Sequence, residues 1–190
     1  MTMTDVRLAT PSDLPAILDI SNWAALNTAA NFAIEPETAD TWRADYDETH
    51  EMFPWLVAAD DVGAVVGFAK AGPWKGRCAY GWTAETTVYV LPLQQGRRIG
   101  TALYTRLVET LRAQGYRTLL GGITQPNTPS VRLHEALGFR KVAMLEGVGW
   151  KFDRWHDVGY WQLNLTDGGG APMTIKPVRE TDWVARLSSR

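Results

Sequence analysis

Residues 85–115 constrain the fold of this chain more than any other stretch. Glu85-Thr86-Thr87-Val88-Tyr89-Val90 is its densest run of β-branched and aromatic residues, and Pro92 stops it because proline cannot donate to a ladder. Across residues 100–114 the apolar side chains Leu103, Leu107 and Leu111 fall four apart on one stripe of a helix, and Gly115 stands where a helix C-terminus takes a left-handed residue. A strand that hands over to a helix through a glycine-bearing turn belongs in a layered α/β or α+β domain, since each element has an apolar face to cover.

The remaining elements extend that order. Residues 6–9 read as a first strand; Thr10 caps a helix with Pro11 at its first position, Asp13 in its first turn, and Leu14, Ile17, Leu18 and Trp23 at helical spacing. A second helix is expected to open at Pro36 with Ala39, Trp42 and Tyr46 on one face. Residues 55–58 and 64–69 form a hairpin around Asp60-Asp61-Val62-Gly63, followed by an irregular stretch over residues 72–77. Residues 119–123 are a strand, and Thr128-Pro129 opens a short helix carrying Val131, Leu133 and Leu137 that Gly138 ends. Residues 139–165 look like two closing strands. Thr166-Asp167-Gly168-Gly169-Gly170-Ala171-Pro172 is linker in composition. Residues 175–187 can be laid on residues 6–18 without a gap, matching Asp13 to Asp182, Ala16 to Ala185 and Leu18 to Leu187. That tail is either an ordinary terminus or a vestige of a second repeat.

Composition excludes several function classes. The 190 residues suit one domain, and 45% hydrophobic against 21% charged residues gives material for a core. Nineteen Lys and Arg against twenty-one Asp and Glu leave a formal charge of −2, which argues against a protein that binds nucleic acid by neutralising phosphates. The single Cys78 excludes a disulfide framework and a multi-cysteine zinc site, and no paired His makes it a nucleophile. No basic leader with an apolar run opens the chain, and eighteen apolar residues never run together. A soluble cytoplasmic protein without metal or membrane attachment is expected.

The chemistry-bearing segment is the junction Val90-Leu91-Pro92-Leu93-Gln94-Gln95-Gly96-Arg97-Arg98-Ile99-Gly100-Thr101. A glycine-bearing loop opening a helix aims unpaired N–H groups and the positive dipole end at one spot, which suits a phosphate or pyrophosphate, and Arg97 and Arg98 add cationic donors. A solvated basic turn is the other reading of the same residues. Glu85 lies in a β-branched strand, where it either faces solvent or is kept for its chemistry.

Gln95-x-x-x-x-Gly100 after a strand and Pro126-Asn127-x-Pro129-Ser130-x-x-Leu133-His134-Glu135-x-Leu137-Gly138-Phe139 resemble the GCN5-related N-acetyltransferases (GNAT). Ala71-Gly72-Pro73-Trp74-Lys75, Arg77, Ala79-Tyr80, Trp82-Thr83-Ala84-Glu85-x-Thr87-Val88-Tyr89-Val90 and Trp155-His156-Asp157-Val158-Gly159 look more narrowly like the phosphinothricin acetyltransferases. The resemblance implies an α+β acyl-CoA N-acyltransferase fold: a mixed, mostly antiparallel sheet of about seven strands with helices on both faces. Its domain would be residues 5–165, with residues 166–190 as linker and tail. It implies acetyl transfer from acetyl-CoA, by direct attack and with no acyl-cysteine, to the amine of a small amino acid or analogue such as phosphinothricin, methionine sulfone or methionine sulfoximine. A homodimer is implied as well.

Roles follow by the same resemblance. Glu85 would be the general base and His134 a second catalytic group near the departing thiolate. Val88, Tyr89 and Val90 would bind the pantetheine arm, with the Val88 N–H on the thioester oxygen. Gln95, Gly96, Arg97, Arg98, Ile99, Gly100, Thr101 and Ala102 would cradle the pyrophosphate, joined on the cofactor by Asn127 and Ser130. Arg77 would clamp an anionic acceptor, with Tyr80, Phe32 and Trp74 beside it. His156 and Asp157 belong to a shared motif that fits a structural hydrogen bond. Two departures stand out. Arg98 occupies the first glycine of the family's turn, and a helical backbone there would accommodate it. The apolar Trp23-Ala24-Ala25-Leu26 replaces a polar and aromatic stretch ending in Glu, which keeps a polyamine, an aminoglycoside or a peptide N-terminus open as acceptor, and a non-catalytic acyl-CoA-binding module open as an alternative.

Overall fold

The computed structural model describes residues 5–166 and 169–181. Seven strands, β1 (Asp5–Leu8), β2 (Trp55–Ala59), β3 (Val65–Pro73), β4 (Thr83–Val90), β5 (Thr118–Thr124), β6 (Arg140–Lys151) and β7 (Arg154–Asn164), form one sheet in the order β1-β2-β3-β4-β5-β7-β6. Neighbouring strands run antiparallel except β4 and β5. Helices α1 (Leu14–Asn27) and α2 (Ala39–Thr49) cover one face, where Ile17, Ile20, Trp42 and Tyr46 pack on Trp55, Val57 and Phe68. Helix α3 (Ile99–Gln114) covers the other, burying Leu103, Tyr104, Leu107 and Leu111 against Leu56, Ala69, Ala84 and Leu119, with α4 (Thr128–Ala136) beside it. The expected fold is the observed one.

Local rules place the helix starts. The Thr10 N–H and hydroxyl both donate to Asp13 Oδ2, at 2.7 and 2.8 Å, closing a capping box one turn before α1. Arg7 grips the same carboxylate with two 2.7 Å bonds from β1, and its guanidinium lowers the Asp13 pKa to about 2. Helix α2 begins at Ala39 rather than Pro36, because the Thr38 hydroxyl accepts from the Thr41 N–H and caps it there. Trp42 and Tyr46 are buried on its inner face, as expected, while Ala39 is exposed.

Three further expectations shift. Trp23 is 41% exposed: the buried stripe of α1 runs through Leu14, Ile17, Ile20 and Ala24, and one helical step of about 100° turns Trp23 off it. The stretch after the hairpin stays a strand through Pro73, because cross-strand pairing of Gly72 with Glu85 and Pro73 with Ala84 overrides the local turn signal. In α4 the apolar residues Val131 and Leu133, and Leu137 just after it, are only half-buried, and the buried residue is His134. The tail packs back on the domain: the Trp82 indole donates to the Met173 carbonyl at 2.6 Å, Gln114 Nε2 to the Lys176 carbonyl at 2.8 Å, and Val178 is buried. Asp182, Ala185 and Leu187, which carry its match to residues 6–18, lie outside the described residues.

Candidate active site

Strands β4 and β5 pair only at Thr83 with Thr118, Ala84 with Leu119 and Glu85 with Leu120. Beyond that point β4 follows β3 as far as Val90 opposite Gly67, while β5 follows β7 as far as Thr124 opposite Val158. The two strands therefore part, and residues 86–90 turn one backbone edge toward a cleft instead of a neighbour. Main-chain N–H and C=O groups on that edge need partners, so a bound molecule can supply them. The cleft measures about 720 Å³ and is walled by this edge, by α4 and by the N-terminus of α3.

At the α3 terminus the turn is left-handed twice. Gly96 has φ 76°, and Arg98, the residue just before the helix, has φ 63° and ψ 13°. Arg98 is therefore not helical as anticipated; the turn keeps its left-handed residue even with a side chain there, at a cost of about 1–2 kcal/mol. The first intrahelical bond runs from the Ala102 N–H to the Arg98 carbonyl at 3.0 Å. Ala102 thus has no spare donor, whereas Ile99, Gly100 and Thr101 do, and they line the cleft with Gln95, Gly96 and Arg98. Arg97 turns away to donate to Gln94 Oε1 at 2.5 Å, over a shallow depression edged by Asp60 and Asp61.

Along β4, Ala84 and Thr86 are buried beneath α3, so Glu85, Thr87 and Tyr89 project from the opposite face. Glu85 is half-buried; desolvation raises its pKa above the ordinary carboxylate range, and Lys75 offsets this in part. Glu85 Oε1 lies 3.7 Å, and the Tyr160 ring 3.4 Å, from where a Cβ on Gly122 would sit. Glycine thus leaves a gap beside the carboxylate. Trp74 packs edge-on against Tyr160, ring centres 5.2 Å apart, which puts the β3–β4 loop carrying Lys75 on the same side. Sequence reasoning missed Tyr160, although its place just after Gly159 in the last strand was a usable signal.

His134 is buried between α4 and Gly121, where a Cβ would collide with its ring. Its Nδ1 lies 2.8 Å from the Ser130 carbonyl and its Nε2 2.8 Å from the Tyr104 hydroxyl, which lies 2.6 Å from Thr86 Oγ1. Burial lowers its pKa. The neutral ring with its proton on Nδ1 fits this set, since a carbonyl can only accept. Both ring nitrogens are engaged within the protein, so the imidazole has no free N–H to offer a thiolate.

Of the other expected residues, Val88, Tyr89, Val90, Asn127 and Ser130 line the cleft. Asn127 also caps α4, its Oδ1 accepting from the Ser130 N–H at 3.2 Å. Arg77 and Tyr80 sit in the exposed turn around Cys78–Tyr80, outside the cleft wall, and Phe32 lies on the α1–α2 loop. His156 is buried with Nε2 2.9 Å from the Lys151 carbonyl and also lines the cleft, and Asp157 Oδ1 accepts from the Gly147 N–H. Among the described residues, no three His, Cys, Asp or Glu side chains gather as metal ligands, and no helix is long and apolar enough to cross a membrane.

Residues 6–159 match the family described as acetyltransferase (GNAT) domain. The chain is 42% identical over 176 residues to the phosphinothricin N-acetyltransferase of Streptomyces viridochromogenes, covering 93% of this chain and 95% of that protein. It is 36% identical over 162 residues to the L-methionine sulfoximine/L-methionine sulfone acetyltransferase of Salmonella typhimurium, covering 85% and 95%. Its fold matches the crystal structure of a GNAT superfamily phosphinothricin acetyltransferase from Sinorhizobium meliloti in complex with acetyl-CoA, with a TM-score of 0.87, 31% identity, and 90% and 94% of the two chains covered.

Proposed function

The chain belongs to the GNAT acetyltransferases and is an N-acetyltransferase, and on that basis we propose that it acetylates the α-amine of a small amino acid or analogue of the phosphinothricin, methionine sulfone or methionine sulfoximine type. The observation that carries the reading is the parting of β4 and β5 immediately after Glu85, which puts a partly desolvated carboxylate one residue before the open backbone edge.

Acetyl-CoA supplies an acetyl group activated as a thioester. The residues present fit it: the unpaired N–H groups of Ile99, Gly100 and Thr101, with the Arg98 guanidinium, suit its pyrophosphate, and Gly100 leaves room for close approach because its nearest side-chain neighbours would lie 3.6 Å from a Cβ. The backbone of Val88, Tyr89 and Val90 suits the amide-bearing arm, and the Val88 N–H suits the thioester oxygen as negative charge develops there. Asn127 and Ser130 close the other side.

The acceptor enters on the face of Glu85. An α-ammonium with a pKa of about 8 is mostly protonated at neutral pH, so a proton must leave before nitrogen attacks, and the raised pKa of Glu85 makes it the better base. The C–N bond would then form and the C–S bond break, CoA leaving as thiolate and taking up the second proton shed by the amine nitrogen. Arg77 and Lys75, on the exposed β3–β4 loop outside the cleft wall, suit the acceptor's anionic group, with Trp74 and Tyr80 on the same loop, while Phe32 bears on the acceptor through the α1–α2 loop. His134 acts through Tyr104 and Thr86 in holding α4 against β4 rather than as an acid. Residues 5–165 form the acetyltransferase unit, residues 166–190 its linker and tail, and the protein works in the cytoplasm. A homodimer is supported by edge strand β6, whose neighbourhood exposes Val142, Leu145, Val148, Trp150 and Trp155.

Release of free CoA from acetyl-CoA, measured with phosphinothricin, methionine sulfone, methionine sulfoximine and polyamines as acceptors, tests this reading. Turnover with the amino-acid analogues is expected; faster turnover of a polyamine than of any carboxylate-bearing acceptor overturns the substrate class.

A further inference from the structure

The last residue of β6 is a buried lysine with no carboxylate among the described residues paired to it. Lys151 Nζ instead donates to the carbonyls of Ala25, Asn31 (2.5 Å) and Ala33 (2.8 Å). An ammonium has three N–H donors, and all are used on main-chain acceptors that no local secondary structure satisfies. Ala25 is in the last turn of α1, where carbonyls lack helical partners and the dipole is negative, so a cation there is also favoured electrostatically. Asn31 and Ala33 flank Phe32. The Phe32 ring presses on the backbone of Gly149, where a Cβ would stand 2.5 Å from it, and its centre is 6.0 Å from that of His156. The end of the β6–β7 hairpin thus holds the last turn of α1 at one carbonyl and the α1–α2 loop at two carbonyls and one ring, although more than a hundred residues separate them in sequence.

The held loop is a wall of the active site. Trp23, Ala24, Thr28, Ala29 and Ala30 line the cleft, and the Tyr89 hydroxyl donates to the Ala30 carbonyl at 3.0 Å from the face of β4 that also carries Glu85. Resting on the acetyltransferase reading above, we propose that Lys151 is a positioning residue for the acceptor: its ammonium sets the main chain of residues 25–33 and so the shape of the acceptor side of the cleft. It touches neither substrate. Its role belongs to a lysine, because a planar guanidinium fork cannot converge on three carbonyls around one point.

The test is Lys151→Met, which keeps the stem and removes the donors. The Michaelis constant for the amino-acid acceptor is expected to rise tenfold or more, that for acetyl-CoA to stay within about twofold, and amide exchange to quicken over residues 25–33 but not over α3. In the double variant Lys151→Met/Phe32→Ala the acceptor effects should be far less than multiplicative, since both act through one loop. If Lys151→Met does not fold, Lys151→Arg is measured in its place, with at least a threefold rise expected. An unchanged acceptor constant, or equal losses for both substrates, overturns the proposal. If the wild-type protein acetylates no amino acid, the functional reading fails, and the amide-exchange measurement still decides whether Lys151 holds the loop.

Discussion

Glu85 stands opposite Leu120 at the last position where β4 and β5 still pair. The carboxylate therefore springs from the last residue of β4 whose backbone is held on both sides, and every residue of β4 beyond it gives up its β5 partner. A carboxylate there is rooted in paired backbone, and the open edge of β4 begins one residue later, at Thr86. Burial leaves the carboxylate partly stripped of water, which raises its pKa.

The adjacent glycines of β5 should respond differently to the same change. A Cβ on Gly121 would collide with His134, so Gly121→Ala must displace a buried ring and is expected to lower stability by about 1–3 kcal/mol. On the opposite face, Gly122→Ala makes ordinary contacts at 3.4 and 3.7 Å with Tyr160 and Glu85 and should fold normally. It fills the gap beside the Glu85 carboxylate, so it should raise the acceptor Michaelis constant and spare that of acetyl-CoA. Thermal unfolding and steady-state kinetics on the pair check both statements.

Arg98→Gly separates backbone strain from ligand binding. Glycine relieves the left-handed φ of 63° but adds freedom to the unfolded chain, so stability should change by less than about 1 kcal/mol. Acetyl-CoA affinity should fall severalfold through loss of the guanidinium. Unfolding curves and titration with acetyl-CoA measure the two effects independently.

Asp13 carries an acid sensitivity. Its folded pKa is lowered to about 2 by Arg7, so the pair stabilises the fold fully above the ordinary aspartate value of about 4, and that contribution is lost as pH falls through this window. Asp13→Asn should be less stable at neutral pH and should show a flatter loss between about pH 4 and 2. Chemical denaturation across that range is the measurement.

The fold was legible because its two periodicities are clean: Leu103, Leu107 and Leu111 mark α3, and β4 reads as β-rich throughout. What escaped depends on long-range pairing or backbone geometry. Trp23 looked like a core residue until the packing of α1 showed which stripe faces the sheet. The conformation of Arg98 is imposed by the turn and not by arginine. Tyr160 meets Glu85 only because β5 and β7 pair Gly122 with Tyr160. Lys151 carried no local signal, since its acceptors are backbone carbonyls far away in sequence. Glu85 was visible because a carboxylate in a β-branched strand calls for a reason.

The central claim is that Glu85 takes the proton, and turnover of Glu85→Gln beside its affinity for acetyl-CoA tests it most directly. The variant should bind acetyl-CoA as tightly as the wild type and lose turnover by about 10² to 10⁴. The wild-type rate should rise with pH through a value above the ordinary carboxylate range. Turnover within a few fold of wild type at every pH, with acetyl-CoA binding intact, would contradict the account.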